Sequence, residues 1–140
     1  MDIRNLTREE AIKLHDEMWS DMQRDLGDNP SNSAREDYKS EWCDKKFPEY
    51  IIAYNCFLCE YGEQQSFKGY FKRYRDYVHD RCKFCPIDWR RLSAWKYKDD
   101  EVCKCYHSYI NGYSDDLIYK VAPISDILAL PERSFEDEGK

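Results

Sequence analysis

The sequence predicts a mainly α, small single-domain helical protein built round a CxxC–CxxC zinc knuckle. Apolar residues recur at intervals of three and four near both ends of the chain, and two Cys-x-x-Cys pairs, CFLC and CKFC, lie between them. The composition adds a third observation, because 12 Tyr, 4 Trp and 6 Phe accompany few aliphatic residues. A chain of 140 residues suits one domain, and so thin an aliphatic core favours stabilisation by a bound metal ion.

We expect one domain, residues 1–140, in four successive segments. These are N-terminal helices at 1–47, a zinc-knuckle region at 48–113, a C-terminal helix at 114–130 and an acidic tail at 131–140. No apolar run approaches the ~18 residues of a membrane span, and the first residues do not resemble a signal peptide. We therefore expect a cytosolic protein in reducing surroundings, without a membrane partner.

The first helix has the clearest signals. Thr7 is a good N-cap, Glu10 completes a capping box, and Gly27 ends the helix at Leu26. Its apolar stripe comprises Ala11, His15, Met18, Trp19, Met22 and Leu26. Within that stripe, we interpret His15 as a core histidine rather than a ligand.

A second helix is predicted from about Ser33 to Lys46, with Ser33 as its N-cap and Pro48 forcing a break. Its inner face is expected to carry Ala34, Tyr38, Trp42 and Lys45. The aromatic spacing from Ser66 to Asp80 then predicts a short helix between the two cysteine pairs.

The last helix is predicted from about Ser114 to Leu130. Pro123 falls inside it, so that the helix either kinks or restarts with Pro123 near its first turn. Pro131 ends the helix, and the acidic residues that follow predict a frayed tail.

Four of the seven cysteines have the spacing of a zinc site. Cys56 and Cys59 form one pair, Cys82 and Cys85 the other, and 22 residues separate them, slightly more than the usual ~15–20. Four thiolates complete a tetrahedron, so we expect one structural Zn²⁺ with no open position. Redox-active pairs and disulfides are the alternatives, although the odd cysteine count argues against a fully paired framework.

The other cysteines leave further ligand sets open. Cys103, Cys105 and His107 form a second group, which with Cys43 could make a second site or exchange one ligand with the first. His79 is another candidate for an exchange, and the plain alternative is a set of free thiols. Sequence signatures of catalysis, such as a phosphate-binding glycine loop or His-Glu-x-x-His, are missing, so we expect no enzyme.

Charge is unevenly distributed along the chain. The net charge is −6, yet residues 68–91 carry eight basic and three acidic residues, which leaves −11 on the remainder. Aromatic and basic residues alternate in this segment, and such a pattern can bind single-stranded nucleic acid. One of the two functions that the sequence predicts is therefore nucleic-acid binding by a zinc-knuckle protein through residues 68–91, and we keep it as the alternative. The acidic remainder instead favours a basic partner surface.

The motifs TREEAIKLHDEMW, NCFLCEY, CKFCPIDW and LALPER occur in an order that resembles a group of small cysteine-rich proteins encoded by phages and prophages of Firmicutes. The resemblance implies that Cys56, Cys59, Cys82 and Cys85 are the metal ligands. The group often has one more cysteine after the Trp, corresponding here to Cys103 or Cys105. This chain departs from the pattern in its longer, basic segment between the two pairs.

A small, acidic, zinc-containing phage protein without catalytic groups also resembles the anti-CRISPR proteins that inhibit type II-A Cas9. This resemblance implies non-catalytic inhibition in the bacterial host cytosol, in which the inhibitor docks on a basic region of Cas9 and keeps target DNA out. The predicted contact residues are the acids on the outer faces of the first two helices, Glu9, Glu10, Asp16, Glu17, Asp21, Glu36 and Asp37.

Overall fold

The structure, a computed structural model, describes residues 1–52, 55–70, 85–88 and 122–133, with side chains as far as residue 65 in the third helix. The protein is mainly α, as predicted. Within the described residues, the helices are α1 (Arg8–Leu26), α2 (Asn32–Lys46), α3 (Phe57–Tyr70) and α4 (Ile124–Leu128). The central helix is α1, which packs against each of the other three.

The prediction for α1 is confirmed at both ends. The Thr7 hydroxyl accepts a hydrogen bond from the Glu10 backbone N–H at 3.1 Å, and the Glu10 carboxylate accepts one from the Thr7 N–H at 2.9 Å. Gly27 ends the helix at φ 86°, in the left-handed region that glycine adopts readily. The predicted stripe is buried except for Leu26, which is 42 % exposed, while Leu14 is buried in addition.

Helix α2 begins at Asn32, and its N-cap is Ser31 rather than the predicted Ser33. The Ser31 hydroxyl accepts the hydrogen bond from the Ala34 N–H at 3.2 Å, so Ser31 is the N-cap. The predicted inner face is also shifted, because Lys45 is exposed. The buried residues of α2 are Arg35, Lys39 and Cys43.

The third helix begins well before the predicted Ser66, with Cys59 in its opening turn and Cys56 directly before it. Phe57 and Leu58 are fully buried and anchor this end of α3. Further along, the Gln64 side chain accepts a hydrogen bond from the Leu6 N–H at 2.7 Å and donates one to the Ile3 carbonyl at 2.8 Å. These bonds fix the N-terminal segment against α3. The predicted helix beyond residue 70 lies outside the described residues.

Helix α4 is shorter than predicted and starts directly after Pro123, which is its N-cap. Within the described residues, the restart at Pro123 is therefore the correct alternative, and residues 114–121 lie outside them. Ile124 and Ile127 are buried in the common core. The loop between α1 and α2 fixes this helix, since the Asp28 carbonyl accepts a hydrogen bond from the Ile124 N–H at 2.9 Å.

Arg35 makes a second connection between the α1–α2 loop and the start of α4. This residue is 1 % exposed, and its guanidinium donates to the Pro30 carbonyl at 3.0 Å and to the Ala122 carbonyl at 2.6 Å. Burial lowers the pKa of Arg35, and the nearby charge of Asp28 partly offsets this effect.

The prediction of a frayed tail is wrong for Glu132 and Arg133. Glu132 forms an antiparallel bridge with Ile87. The backbone N–H of Arg133 donates to the Pro86 carbonyl at 2.8 Å, and the backbone N–H of Asp88 donates to the Pro131 carbonyl at 3.0 Å. The remaining tail, 134–140, lies outside the described residues. None of the described helices is long and apolar enough to cross a membrane.

Candidate metal centre and acidic groove

The first cysteine pair lies at the N-terminus of α3. Cys56 directly precedes the helix, its carbonyl accepts from the Glu60 N–H at 2.9 Å, and its Sγ accepts from the Cys59 N–H at 3.4 Å. Asn55 makes the preceding turn possible at φ 51°, which asparagine tolerates better than most residues. Free N–H groups and the positive end of a helix both favour thiolate, so this turn suits a metal-binding pair.

The second pair is represented by Cys85, which is 4 % exposed. Its backbone is held by the C-terminal segment, since the Arg133 guanidinium donates to the Cys85 carbonyl at 3.2 Å. Arg8 of α1 donates to the adjacent Pro86 carbonyl at 3.4 Å and also to the Arg133 carbonyl. Two arginines thus position Cys85 and Pro86 relative to α1.

Electrostatic interactions connect the three described thiols of the predicted site. The hydrogen bond with Cys59, burial and the charge of Cys59 raise the pKa of the Cys56 thiol well above its ordinary value, and the charge of Cys85 adds to this effect. Such mutual repulsion between thiolates is what a shared cation removes, because metal binding replaces the thiol protons.

The donor chemistry of this region fits zinc, since Cys59 and Cys85 are buried and Cys56 is partly buried. Within the described residues, however, no three His, Cys, Asp or Glu side chains are arranged to hold an ion. Cys82, the fourth predicted ligand, lies outside the described residues, as do His79, Cys103, Cys105 and His107. The single tetrathiolate zinc site stays a prediction.

Cys43, a candidate for a second metal site, and His15, which was interpreted as a core residue, are both described. Cys43 is buried on α2, and burial raises the pKa of its thiol to about 11, which is typical of an unreactive core thiol. His15 is 2 % exposed and meets the Trp19 ring edge-on, with 6.4 Å between the ring centroids. Burial lowers the pKa of His15 to about 3, so the imidazole is neutral at neutral pH. His15 is a core residue, as interpreted from the sequence.

Several of the predicted contact acids have partners within the protein. Glu10 completes the capping box of α1. The Asp21 carboxylate accepts a hydrogen bond from the Trp42 indole N–H at 2.9 Å, and Glu17 lies 3.8 Å from the ammonium of Lys46. These contacts position the acids of α1 relative to α2.

A shallow groove of about 600 Å³ runs along the outer face of α1. The acids that line it, here called the acidic groove, are Glu9, Asp16, Glu17, Asp21 and Glu132. Although the Asp16 side chain is exposed, partial burial raises its pKa, and the charge of Glu132 raises it further. Within the groove, which Lys13 also lines, the charge of Glu132 therefore disfavours ionisation of Asp16.

The structure thus brings together four of the seven predicted contact acids. Glu36 and Asp37 are exposed on α2 and do not line the groove. Sequence reasoning missed Glu132 because it assigned this residue to the acidic tail that follows Pro131. Most of the predicted basic segment at 68–91, namely residues 71–84 and 89–91, lies outside the described residues.

No known protein family, curated protein or solved structure matches this chain. The resemblance to small phage proteins therefore depends on the sequence motifs alone.

Proposed function

We propose that this protein is a non-catalytic, zinc-stabilised inhibitor that binds a basic surface of a partner protein through the acidic groove. By the sequence resemblance, the partner is a type II-A Cas9, met in the cytosol of a bacterial host, and the bound inhibitor blocks target DNA binding. One Zn²⁺ held by Cys56, Cys59, Cys82 and Cys85 has a structural role. The observation that carries the proposal is the clustering of acids from two separate parts of the chain along α1.

Charge repulsion supports this use of the groove. Asp16 and Glu132 lie far apart in sequence, yet the charge of Glu132 makes the ionised Asp16 carboxylate less stable. A lysine- or arginine-rich surface relieves this repulsion on binding and attracts the acidic protein over a distance. Since the DNA-binding channel of Cas9 is basic, an acidic protein seated there occupies the place of the nucleic acid backbone.

Rigidity also favours docking through this face. The backbone of the groove belongs to the longest described helix, which is capped at both ends, and Asp21 is fixed by its bond to Trp42. A contact surface held in one conformation loses little conformational entropy on binding.

A DNA-cleavage assay with purified Cas9 tests the proposal. We expect the wild-type protein to inhibit cleavage at a near-equimolar ratio, and the double variant Glu9→Lys/Asp16→Lys to require about a hundredfold more protein. The control, Asp44→Lys/Glu49→Lys, makes the same charge change at two exposed acids outside the groove and should inhibit like the wild type.

Full cleavage at excess wild-type protein, across several type II-A Cas9 proteins, contradicts the Cas9 partner. Equal loss of inhibition in both variants contradicts the groove as the contact surface. A gel shift with single-stranded DNA or RNA at low salt, abolished by reversing basic charges within 68–91, would favour the nucleic-acid-binding alternative instead.

A further inference from the structure

Arg8 is the first residue of α1 and contacts two segments from distant parts of the chain. Its guanidinium donates to the Pro86 carbonyl at 3.4 Å and to the Arg133 carbonyl, and it lies 3.7 Å from the Glu132 carboxylate. The Arg8 side chain is only 18 % exposed, although most arginine side chains extend into water. One guanidinium therefore fixes both segments against the start of α1.

The two segments pair with each other over a short length. Ile87 and Glu132 form an antiparallel bridge, which one backbone hydrogen bond on each side extends. A two-stranded pairing of this kind is marginal in water by itself. The Pro86 carbonyl accepts from the Arg133 N–H at 2.8 Å and also from Arg8, so the same oxygen joins the pairing to α1.

The pairing places Glu132 in the acidic groove, beside Glu9 and Asp16. Within the described part of the chain, Glu132 is the one residue lining the groove that does not belong to α1. The acids of α1 keep their positions as long as the helix is intact. The position of Glu132 depends instead on how residues 131–133 are held.

Charge alone predicts the opposite role for Arg8. A cation beside an acidic surface weakens the attraction of that surface for a basic partner, so its removal should strengthen binding. However, the Arg8 side chain is mostly buried, whereas the Glu132 side chain is 63 % exposed. The Glu132 carboxylate is therefore the group that a partner meets. The effect of Arg8 on charge and its effect on the position of Glu132 have opposite signs, which a binding measurement can distinguish.

We propose that Arg8 is a positioning residue of the acidic groove, which holds the paired segments 86–88 and 131–133 against α1 and so keeps Glu132 where a basic partner surface meets it. The inference rests on the proposed function, because it concerns the same contact surface. It gives Arg8 a favourable effect on binding despite its positive charge.

A double-mutant cycle with Arg8→Met and Glu132→Gln tests the proposal, with the affinity of the full chain for purified type II-A Cas9 as the measurement. We expect each single variant to bind about 3- to 10-fold more weakly than the wild type. In the Glu132→Gln background, Arg8→Met should cause no further loss, because the carboxylate that Arg8 positions is already gone. The control, Arg4→Met, removes an exposed arginine and should not weaken binding.

The pKa of Asp16, followed by NMR titration of the full chain, is a second measurement that needs no partner. The charge of Glu132 raises this pKa, so displacement of residues 131–133 lowers it, whereas removal of the Arg8 cation alone would raise it. We expect the pKa of Asp16 to fall in Arg8→Met and in Glu132→Gln, and to stay unchanged in Arg4→Met.

Arg8→Lys is a further variant for the case that Arg8→Met does not fold. It retains the positive charge but loses the planar fork that reaches two carbonyls, so both measurements should shift in the same direction as in Arg8→Met, by a smaller amount.

Tighter binding by Arg8→Met, or losses that add in the double variant, overturns the inference and leaves the proposed function intact. An unchanged or raised pKa of Asp16 in Arg8→Met overturns the inference as well. A wild-type protein that does not bind Cas9 contradicts the proposed partner, and the titration of Asp16 then still decides whether Arg8 positions Glu132.

Discussion

The carboxylate of Asp28 binds both polar groups of Ser125, accepting from its backbone N–H at 2.7 Å and from its hydroxyl at 2.8 Å. Gln23 donates to the same carboxylate at 3.1 Å. One exposed side chain between α1 and α2 thus anchors the first turn of α4, 97 residues further along the chain.

The first prediction concerns the pH dependence of this contact. Hydrogen bonds from Ser125 and Gln23 lower the pKa of Asp28 below its ordinary 3.8. The ionised carboxylate therefore adds stability above that pH, and the contribution is lost as the pH falls through the lowered pKa. We expect Asp28→Asn to unfold at lower urea concentration than the wild type at pH 7, with a difference that shrinks as the pH falls below 3.8, the ordinary pKa of aspartate. Asp37→Asn, at an exposed acid of α2, is the control, and a difference that is constant with pH would contradict the prediction.

The second prediction concerns Arg35. Replacement by Met leaves the buried Ala122 carbonyl and the partly buried Pro30 carbonyl without these charged donors, so we expect the free energy of unfolding to fall by about 1–3 kcal/mol. Lys in this position should recover only part of the loss, because an ammonium lacks the planar fork that reaches both carbonyls. Chemical denaturation measures both variants, and equal stability of Arg35→Met and wild type would rule out this role.

The third prediction distinguishes Cys59, a predicted zinc ligand, from Cys43, a buried cysteine outside the predicted zinc site. Cys59→Ser removes a predicted ligand, so we expect zinc affinity to fall by far more than about tenfold and the gain in melting temperature on adding zinc to disappear. Cys43→Ser changes a buried thiol on α2 and should still bind one zinc ion. Metal analysis after gel filtration, together with thermal unfolding with and without chelator, checks both results. Loss of zinc from both variants, or from neither, would argue against the predicted ligand set.

The fourth prediction is that Asp16 of the acidic groove lowers the stability of the fold but strengthens binding to the partner. The pKa of Asp16 is raised in the folded protein, so its ionisation destabilises the fold at neutral pH and its protonation stabilises the fold as the pH falls. We expect Asp16→Asn to raise the melting temperature at pH 7 slightly while weakening binding to the basic partner. Asp44→Asn, outside the groove, should change neither property. A variant that melts earlier than the wild type at pH 7 would refute the proposed repulsion.

Sequence patterns were most informative where local chemistry decides the structure. The ends of α1 follow from Thr7, Glu10 and Gly27, whose roles depend on neighbouring backbone groups. The cap of α2 was placed at Ser33 instead of Ser31 because both serines offer the same hydroxyl, and only the path of the loop after Gly27 distinguishes them.

Tertiary contacts explain what the patterns missed. Arg35 and Lys39 are buried although their charges predict an outer face, because their cationic ends find carbonyl groups and an aromatic ring inside the protein. Similarly, Glu132 joins the acidic groove because its strand-like pairing with Ile87 carries it to α1. Contacts between such distant positions leave no periodic signal in the sequence.

The attachment of α4 to the α1–α2 loop also sets an order of events during synthesis. Until the ribosome has added α4, the surface of α1 that packs against Ile124 and Ile127 stays uncovered by that helix. A nascent chain can form α1 early from its own capping signals, but it completes the core only after residues 122–133 have emerged from the ribosome. Premature termination before that point would therefore yield a product that exposes apolar surface and is a target for chaperones and proteases.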